Sequence, residues 1–283
     1  MIDLHSHSTA SDGSLSPAEL VALAAKSGVT TLALTDHDTL AGIPEAEEAA
    51  GKLGVRLIRG VEIEIVFSPG EFHVLGLDLR DIDGEIGEAM TRLARLRRER
   101  NGRIIAKLNA AGIDATMEEL IAIATGSGEE FTGQIGRPHI ASLLVARKAA
   151  KDRQDAFDKW LAKGRPFYDA KECLELGQAI QLIHDAGGLA IVAHPRSLFI
   201  SWGRLSTHFD EWKDLAIDGI EAWHPTAKAG ECRRLEKMGR DRGFRITAGS
   251  DYHGSLRPER RLGHTAGKIA IGEEWLKEIE RPG

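Results

Sequence analysis

Short runs of β-favouring residues recur along this chain, and most of them are followed by an amphipathic helical pattern. Turn residues bound seven such runs, namely Ile2–His5, Thr31–Thr35, Val55–Ile65, Phe72–Leu77, Leu189–Ala193, Gly219–Ala222 and Arg245–Ala248. In the first helical pattern Leu20, Leu23 and Ala24 share one face, and Gly28 is placed to end the helix. Strands that alternate with helices in this way predict an α/β fold built on a parallel sheet.

The alternation stops between about residues 86 and 177, where helical patterns follow one another without a convincing apolar strand. We interpret this stretch as an inserted helical subdomain. The predicted organisation is a barrel formed by residues 1–85 and 178–283, with a helical insertion formed by residues 86–177. No long linker rich in Pro, Gly or Ser separates the two parts, so the insertion is expected to pack against the barrel.

Composition excludes several classes of protein. A chain of 283 residues with 42% hydrophobic and 28% charged residues can fill a large core, which excludes a disordered or fibrous chain. No run approaches the roughly 20 consecutive apolar residues that cross a bilayer, and no leader-like pattern opens the chain, so a cytoplasmic protein is expected. The formal charge of -6 argues against broad electrostatic adhesion to nucleic acid, although a local field could still attract a phosphorylated substrate.

Histidines and carboxylates cluster where the predicted strands end. The residues at these positions are His5 and His7, Asp36, His37 and Asp38, Glu62 and Glu64, His73 at the start of the fourth strand, His194, His224, and Asp251 with His253. Because the carboxyl ends of parallel barrel strands open on one face, residues far apart in the sequence would converge on one site. Residues two apart on a strand point to the same side, so three pairs could each bind one ion: His5 with His7, Glu62 with Glu64, and Asp251 with His253.

This mixture of side chains is typical of a metal centre. Imidazole and carboxylate ligands together suit zinc, iron or manganese, and a carboxylate-rich set favours manganese or magnesium. One ion that keeps a position for water uses about three or four protein ligands, and about nine strong candidates are present, so two or three divalent ions are predicted. Taken singly, the His-x-His pair or residues 36–38 could be an incidental pair or a helix cap. Their joint occurrence at successive strand ends favours the metal centre.

Seven motifs carry a resemblance to a known family. DLHSHS, SDG, TDHDT, GVEIE, HVLG, AHP and GSDYHG, which span Asp3 to Gly254, resemble the motifs of the polymerase and histidinol phosphatase (PHP) family. The combination of SDG, a long helical insertion and RPHIA resembles the bacterial branch of nucleoside 3′,5′-bisphosphate phosphatases and 5′-to-3′ exoribonucleases. The resemblance implies a distorted (β/α)7 barrel, similar to a TIM barrel, that holds three metal ions.

The resemblance also implies how the ligands divide among the ions. The first ion would be held by His5, His7, Glu62 and Asp251. Glu62 would bridge to a second ion, held also by His73 and His194, and the third would be held by Asp12, His37 and His253. The histidinol phosphatase branch tends to place histidine where Asp12 stands, which argues against histidinol phosphate as the substrate.

Catalysis is expected to depend on His224, Asp251 and His253. A bridged pair of ions lowers the pKa of a bound water and supplies hydroxide for attack on phosphorus, and a third ion would bind phosphate oxygens. His224 has no place among the implied ligands, so we expect it to donate a hydrogen bond to the phosphate or a proton to the leaving oxygen. The alternative is a packed turn histidine.

Two further features suggest how a substrate binds. Arg137 and His139 open a helix in the insertion and could hold a second phosphate, although Arg137 could instead be solvated at an ordinary helix start. We predict that the basic run Arg92–Arg103 forms mainly a solvated helix face, and the alternative is a role in binding RNA. The candidates for stacking on a base are Phe199, Trp202 and Trp223.

The function that fits these features best is that of a phosphoric ester hydrolase acting on nucleotides. The leading prediction is a nucleoside 3′,5′-bisphosphate 3′-phosphatase that produces the nucleoside 5′-monophosphate and phosphate, most plausibly with manganese. The alternatives are a 5′-to-3′ exoribonuclease on short 5′-phosphorylated RNA, a phosphatase like histidinol phosphatase, an amide or lactone hydrolase, and a metal module without activity. The expected partner is a small nucleotide or the 5′ end of an oligonucleotide, with neither a membrane nor an obligate protein partner.

Overall fold

The computed structural model of the protein describes residues 1–68, 70–125 and 135–280. Within these residues seven strands form one sheet in which spatial order follows sequence order: β1 (Ile2–Asp3), β2 (Thr31–Leu34), β3 (Arg56–Ile65), β4 (Phe72–Leu77), β5 (Leu189–Val192), β6 (Gly219–Trp223) and β7 (Arg245–Ala248). A parallel bridge between Ser6 and Tyr252 joins the segments that follow β1 and β7. The sheet is therefore nearly closed, and the predicted distorted (β/α)7 barrel is confirmed.

One strand departs from the expected parallel sheet. β4 runs antiparallel to both β3 and β5, whereas the other neighbouring strands are parallel. Only residues 66–71 connect β3 to β4, and a parallel pair requires a crossover of a dozen or more residues, so these two strands can pair only as a hairpin. Consequently β4 begins at the end of the barrel where its neighbours finish, and this reversal brings His73 to that end.

Helices surround the barrel and build the insertion. Their bounds are α1 (Pro17–Lys26), α2 (Ile43–Leu53), α3 (Glu85–Ala110), α4 (Met117–Thr125), α5 (Arg137–Ala146), α6 (Arg153–Ala156), α7 (Leu176–Asp185), α8 (Trp202–Asp214), α9 (Ala229–Arg240) and α10 (Leu276–Ile279). A π-helical turn, Phe157–Leu161, continues α6. α1 begins where sequence rules place it, because Ser16 and Glu19 form a reciprocal capping box with Pro17 in the first turn. No helix in the described ranges is long and apolar enough to cross a membrane.

The apolar residues form more than one core. A large core lies between the sheet and the helices around it, and a smaller one fills the barrel interior with side chains such as Leu75 and Ile191. A further core consists only of residues of the insertion, among them Ile104 and Phe167. The first turns of α3 pack with the barrel through Met90, so this helix reaches from one core to the other. The predicted boundaries at residues 86 and 177 stay a prediction.

Candidate metal centre and active site

The predicted ligands converge at one end of the barrel. His5 and His7 follow β1, Asp12 lies in the loop before α1, His37 follows β2, Glu62 lies in β3, His73 in β4, His194 follows β5, and Asp251 with His253 follows β7. The described residues contain four groups whose ligand atoms lie within 4.8 Å of one another. Every predicted ligand except His194 belongs to one of these groups.

Glu62 lies at the centre of the arrangement and is fully buried. Its Oε1 lies 2.9 Å from His73 Nδ1 and 2.8 Å from His194 Nε2. Its Oε2 faces the other side, 3.1 Å from His37 Nδ1 and 3.2 Å from His5 Nε2. Each oxygen of the carboxylate thus faces a different set of imidazoles. The structure thus places His194 beside Glu62, although it lies outside the four groups.

His5, His7, Glu62 and Asp251 form the group that was expected to hold the first ion. His7 Nε2 lies 3.1 Å from Asp251 Oδ1 and 3.3 Å from Glu62 Oε2. Burial alone would lower the pKa of His7, but hydrogen bonds to Asp251 and Glu62 and their charges outweigh it and raise this pKa to about 10. A divalent cation at the same place would compete with that proton.

Asp12, His37 and His253 also come together, with His7 as a fourth member that the sequence did not assign to this group. Asp12 Oδ1 lies 3.3 Å from His253 Nε2 and 3.8 Å from His37 Nε2. Burial would raise the pKa of Asp12, but the histidine charges prevail and hold it well below its ordinary value. Burial lowers the pKa of His37 to about 3, which keeps the ring in the neutral form that binds metals.

Two buried atoms test whether this chemistry suits a cation. His7 Nδ1 and Glu62 Oε2 are fully buried and make no hydrogen bond of good geometry, although imidazole nitrogens lie 3.1 to 3.3 Å from Glu62 Oε2. An unsatisfied buried polar atom costs about 1–3 kcal/mol, and native proteins rarely leave such atoms without a reason. Both atoms are ligand types that belong to the groups above, and a divalent ion would satisfy a carboxylate oxygen in this position. The donor set therefore fits divalent metal ions.

Glu221 belongs to the site although the sequence did not single it out. It lies in β6, is almost fully buried, and forms a group with His5 and His224. Its Oε1 lies 2.9 Å from His5 Nδ1, and its Oε2 accepts a hydrogen bond of 2.9 Å from the backbone N–H of His194. The missed signal was a carboxylate inside an apolar strand, which has to find a polar partner when buried.

His224 lies at the same end of the barrel with both ring nitrogens engaged. The backbone N–H of Thr226 donates to Nδ1 at 3.2 Å, so Nε2 carries the proton and donates to Asp251 Oδ2 at 3.0 Å. Burial lowers the pKa of His224, which keeps the ring neutral. Arg260, which the sequence did not identify, also donates to the carboxylate and carbonyl oxygens of Asp251. The predicted catalytic role of His224 stays a prediction.

The carboxylates on either side of His37 have structural partners. Asp36 accepts hydrogen bonds from the backbone N–H and the hydroxyl of Ser8, at 2.8 and 2.7 Å. Asp38, which has a φ of 49°, forms an ion pair with Arg97 of α3. These two contacts fix both ends of the segment that presents His37.

Glu64 lies outside the metal-ligand groups of the described residues, whereas Glu62 lies in two of them. Both carboxylates lie on one side of β3 as expected, but Glu64 is farther along the strand and forms an ion pair with Lys171. Lys171 also contacts Asp38. Burial would raise the pKa of Glu64, but the positive charge of Lys171, followed by that of His73, outweighs it and holds this pKa below its ordinary range. Glu64 therefore joins the insertion to the barrel.

The basic run of α3 is only partly a solvated face, which corrects the sequence interpretation. Arg92, Arg95, Arg98 and Arg103 are exposed, as expected. Arg97 is mostly covered by its contact with Asp38, and Arg100 is 3% exposed. Burial, followed by the charges of Arg97 and Arg137, lowers the pKa of Arg100 to about 10. Arg97, Arg100 and Arg137 thus lie close enough to repel one another.

Arg137 and His139 occupy the first turn of α5, as the sequence predicted. His139 is buried, and its Nδ1 accepts a hydrogen bond of 3.0 Å from the backbone N–H of Gly136. Burial lowers the pKa of His139, while the charge of Asp12 acts in the opposite direction. The guanidinium of Arg137 lies 6.0 Å from the ring centroid of Tyr168. Substrate binding at this turn stays a prediction.

A profile of the PHP domain matches residues 3–163, which is more than half of the chain. The chain belongs to the PHP family. It is 35% identical over 282 residues to the 5′-3′ exoribonuclease Rnm of Salmonella typhimurium, a match that covers 96% of this chain and 93% of that protein. It is 30% identical over 279 residues to the 3′,5′-nucleoside bisphosphate phosphatase of Chromobacterium violaceum, with 99% and 96% covered.

Solved structures agree with this assignment. A Bifidobacterium adolescentis protein described as a metal-dependent phosphoesterase superposes on this PHP chain with a TM-score of 0.82 at 30% identity, over 98% of this chain and 94% of that one. The curated relatives hydrolyse phosphate esters according to their names, which confirms the predicted enzyme class of phosphoric ester hydrolase. The histidine and carboxylate groups of this PHP barrel are able to hold metal ions.

Proposed function

We propose that the protein hydrolyses nucleotide phosphate monoesters, with a nucleoside 3′,5′-bisphosphate as the substrate and its 3′-phosphate as the group removed. The observation that carries this proposal is the position of Glu62 between two sets of imidazoles, beside an insertion wall that contributes Arg97, Arg100 and Arg137. The name of the Chromobacterium violaceum relative supports the same substrate. One phosphate would bind at the metal centre and the other at the arginines.

The ligands would divide as the family resemblance implies. We assign one ion to His5, His7, Glu62 and Asp251, a second to Glu62, His73 and His194, and a third to Asp12, His37 and His253. When bound, two or three divalent ions supply an activated water and neutralise charge on the phosphoryl group. Manganese suits this mixed set of nitrogen and oxygen donors, with zinc, iron or magnesium as the alternatives.

Protein side chains would then control the geometry of the reaction. Asp251 and His253 act as ligands, and Asp251 is held from its other side by His224 and Arg260. We propose that the Nε2–H of the neutral His224 ring donates a hydrogen bond to the phosphate or the leaving 3′-oxygen. Because Nδ1 is fixed by Thr226, the tautomer needed for this donation is already set.

The second phosphate would bind at Arg137. Among the cations of this region, Arg97 and Lys171 are paired with Asp38 and Glu64, and Arg100 is 3% exposed. Arg137 is only partly buried, and its planar guanidinium can bind a phosphate through two parallel hydrogen bonds. His139 would add a donor at Nε2, since its Nδ1 is occupied by Gly136.

A 5′-to-3′ exoribonuclease is the second candidate, because the Salmonella typhimurium relative carries that name at 35% identity. Both activities cleave a phosphate ester at the same atom and differ in whether the group beyond it is small or polymeric. Hydrolysis of amides or lactones has less support, since an arginine wall beside the metal groups suits an anionic substrate. Histidinol phosphate also has less support, because the histidinol phosphatase branch tends to have histidine where this chain has Asp12.

The deciding experiment is phosphate release from adenosine 3′,5′-bisphosphate by metal-stripped protein reconstituted with manganese. Asp12→Ala would be measured beside it, with Asp241→Ala, a change at an exposed carboxylate directly after α9, as the matched control. Release by the parent and the control, lost in Asp12→Ala, would support both the substrate and the third ion. Shortening of 5′-phosphorylated RNA without release from the bisphosphate would move the assignment to the exoribonuclease. Inactivity on both would refute the substrate class.

A further inference from the structure

The turn that follows β5 carries an aromatic side chain in an unusual setting. A 3-10 turn, Pro195–Leu198, begins directly after His194, and Phe199 ends it. Phe199 is 77% exposed, the largest value among the exposed large apolar residues in the described ranges. Its φ of 51° lies in the left-handed region, which a bulky residue rarely adopts. Such a conformation persists only where surrounding structure enforces it, and it is common at functional sites.

An arginine and tryptophan stack lies next to this ring in the chain. Trp202 opens α8, and the guanidinium groups of Arg196 and Arg234 lie 4.5 and 4.1 Å from its ring centroid. Arg196 also pairs with Glu231 at 3.2 Å, which neutralises its charge. Arg234 is exposed and has no carboxylate within 4.0 Å among the residues that the structure describes. The Trp202 ring covers one face of the Arg234 guanidinium, and the positive charge of this group stays available to an anion.

The turn that carries Phe199 begins directly after the predicted ligand His194. Ser197 Oγ lies 2.9 Å from His194 Nδ1, so the turn is attached to a predicted ligand. Phe199 follows His194 by five positions, and five residues span at most about 18 Å, so its backbone lies within that distance of His194. Stacked bases of one strand are about 3.4 Å apart, so this distance corresponds to a nucleotide a few positions from the cleaved ester.

We propose that Phe199 is a nucleobase-stacking platform and that Arg234 binds the backbone phosphate of the same single strand, so that the site accepts short RNA as well as mononucleotides. An aromatic face with an adjacent arginine is the usual means of binding single strands without sequence preference. The proposal rests on the proposed phosphoesterase function. Trp223 has no such role, because it packs against Trp275 and donates a 2.8 Å hydrogen bond to Glu236.

The test measures affinity, so that it does not depend on turnover. A short 5′-phosphorylated oligoribonucleotide with a 3′ fluorophore, and an abasic strand of the same length, would be titrated with calcium-loaded protein, with a gel to show that the RNA stays intact. Phe199→Ala should weaken binding of the base-bearing strand about tenfold and change binding of the abasic strand by less than about twofold. Phe199→Trp should restore the loss, and Leu215→Ala, which removes another exposed apolar side chain, should bind like the parent.

The arginine is tested by a different signature. Arg234→Gln should weaken both strands equally and lower the slope of log affinity against log salt by about 0.7. Equal effects of Phe199→Ala on both strands, or no effect on either, would overturn the stacking proposal. Phosphate release from adenosine 3′,5′-bisphosphate by the parent is a separate measurement. If the parent released no phosphate, that result would count against the proposed function alone. A loss of base-dependent affinity in Phe199→Ala would still support the stacking proposal.

Discussion

Glu221 Oε1 lies 2.9 Å from His5 Nδ1, and this contact fixes the ring from the side opposite the proposed first ion. The same carboxylate holds the backbone of His194 through its other oxygen, so one residue of β6 orients ligands that follow two different strands. Carboxylates that orient metal-binding histidines in this way raise their basicity and typically account for 10- to 100-fold in metal affinity.

We therefore expect Glu221→Gln to weaken binding of manganese to the metal-stripped protein about tenfold or more, as measured by calorimetric titration. Glutamine keeps the shape of the side chain but loses the charge that favours the metal-bound imidazole. Glu211→Gln is the matched control, because Glu211 Oε2 lies 2.6 Å from His208 Nδ1 on the surface of α8. Equal affinity in Glu221→Gln and the parent would show that Glu221 serves folding only.

His224→Asn tests the proposed donor. Asparagine is shorter than histidine and lacks the Nε2–H that we propose to donate to the phosphate or the leaving oxygen, so turnover should fall about 100-fold while the number of bound ions stays the same. Turnover would be followed by phosphate release, and metal content by elemental analysis. His184→Asn alters a comparable pair, His184 with Asp218 at 2.8 Å, away from the metal groups, and should be silent in both assays. Unchanged turnover in His224→Asn would rule out the role.

Local sequence patterns predicted the strands well because strand propensity and turn residues act over short distances. β4 and β7 have the bounds that were predicted, and β6 extends one residue beyond its prediction. The direction of β4 was not predicted, since a strand pattern reads the same in both directions. The short connection between β3 and β4 was visible in the sequence and would have indicated a hairpin.

The site residues that were missed depend on contacts between distant parts of the chain. Arg97 and Asp38 are 59 residues apart, and nothing in a run of arginines shows which of them turns inward. Glu221 and Arg260 act on His5 and Asp251, whose own motifs are easy to recognise. Motifs thus revealed the ligands, while the residues that hold the ligands in place became visible only in three dimensions.

Arg137→Lys should separate the two phosphate sites. Lysine keeps the charge but loses the planar, two-pronged hydrogen bonding of arginine, so the KM for a 3′,5′-bisphosphate should rise about tenfold, with little change for a simple aryl phosphate. Steady-state kinetics on both substrates would measure the ratio. Arg147→Lys, at the other end of α5 where Arg147 pairs with Glu119, is the control. An equal rise in KM for both substrates would place Arg137 outside the second phosphate site.

His139 provides a prediction about pH. Burial lowers the pKa of His139 below the ordinary value of 6.5. As the pH falls through 6.5, this side chain therefore takes up a proton in the unfolded chain but not in the folded protein. The free energy of unfolding of the parent should therefore decrease between pH 7 and about pH 5 by more than that of His139→Gln, which cannot titrate. Glutamine at this position of the helix can still accept the hydrogen bond from Gly136.

Chemical denaturation of the metal-stripped parent and His139→Gln at several pH values would measure this difference directly. His139→Ala separates titration from capping, because it removes the acceptor and should lose about 1 kcal/mol at every pH while showing the same trend as His139→Gln. Parallel stability curves for the parent and His139→Gln would mean that the buried ring is protonated as readily as in the unfolded chain. In that event its Nδ1 could not accept from Gly136, and the neutral tautomer that we assign to this ring would be wrong.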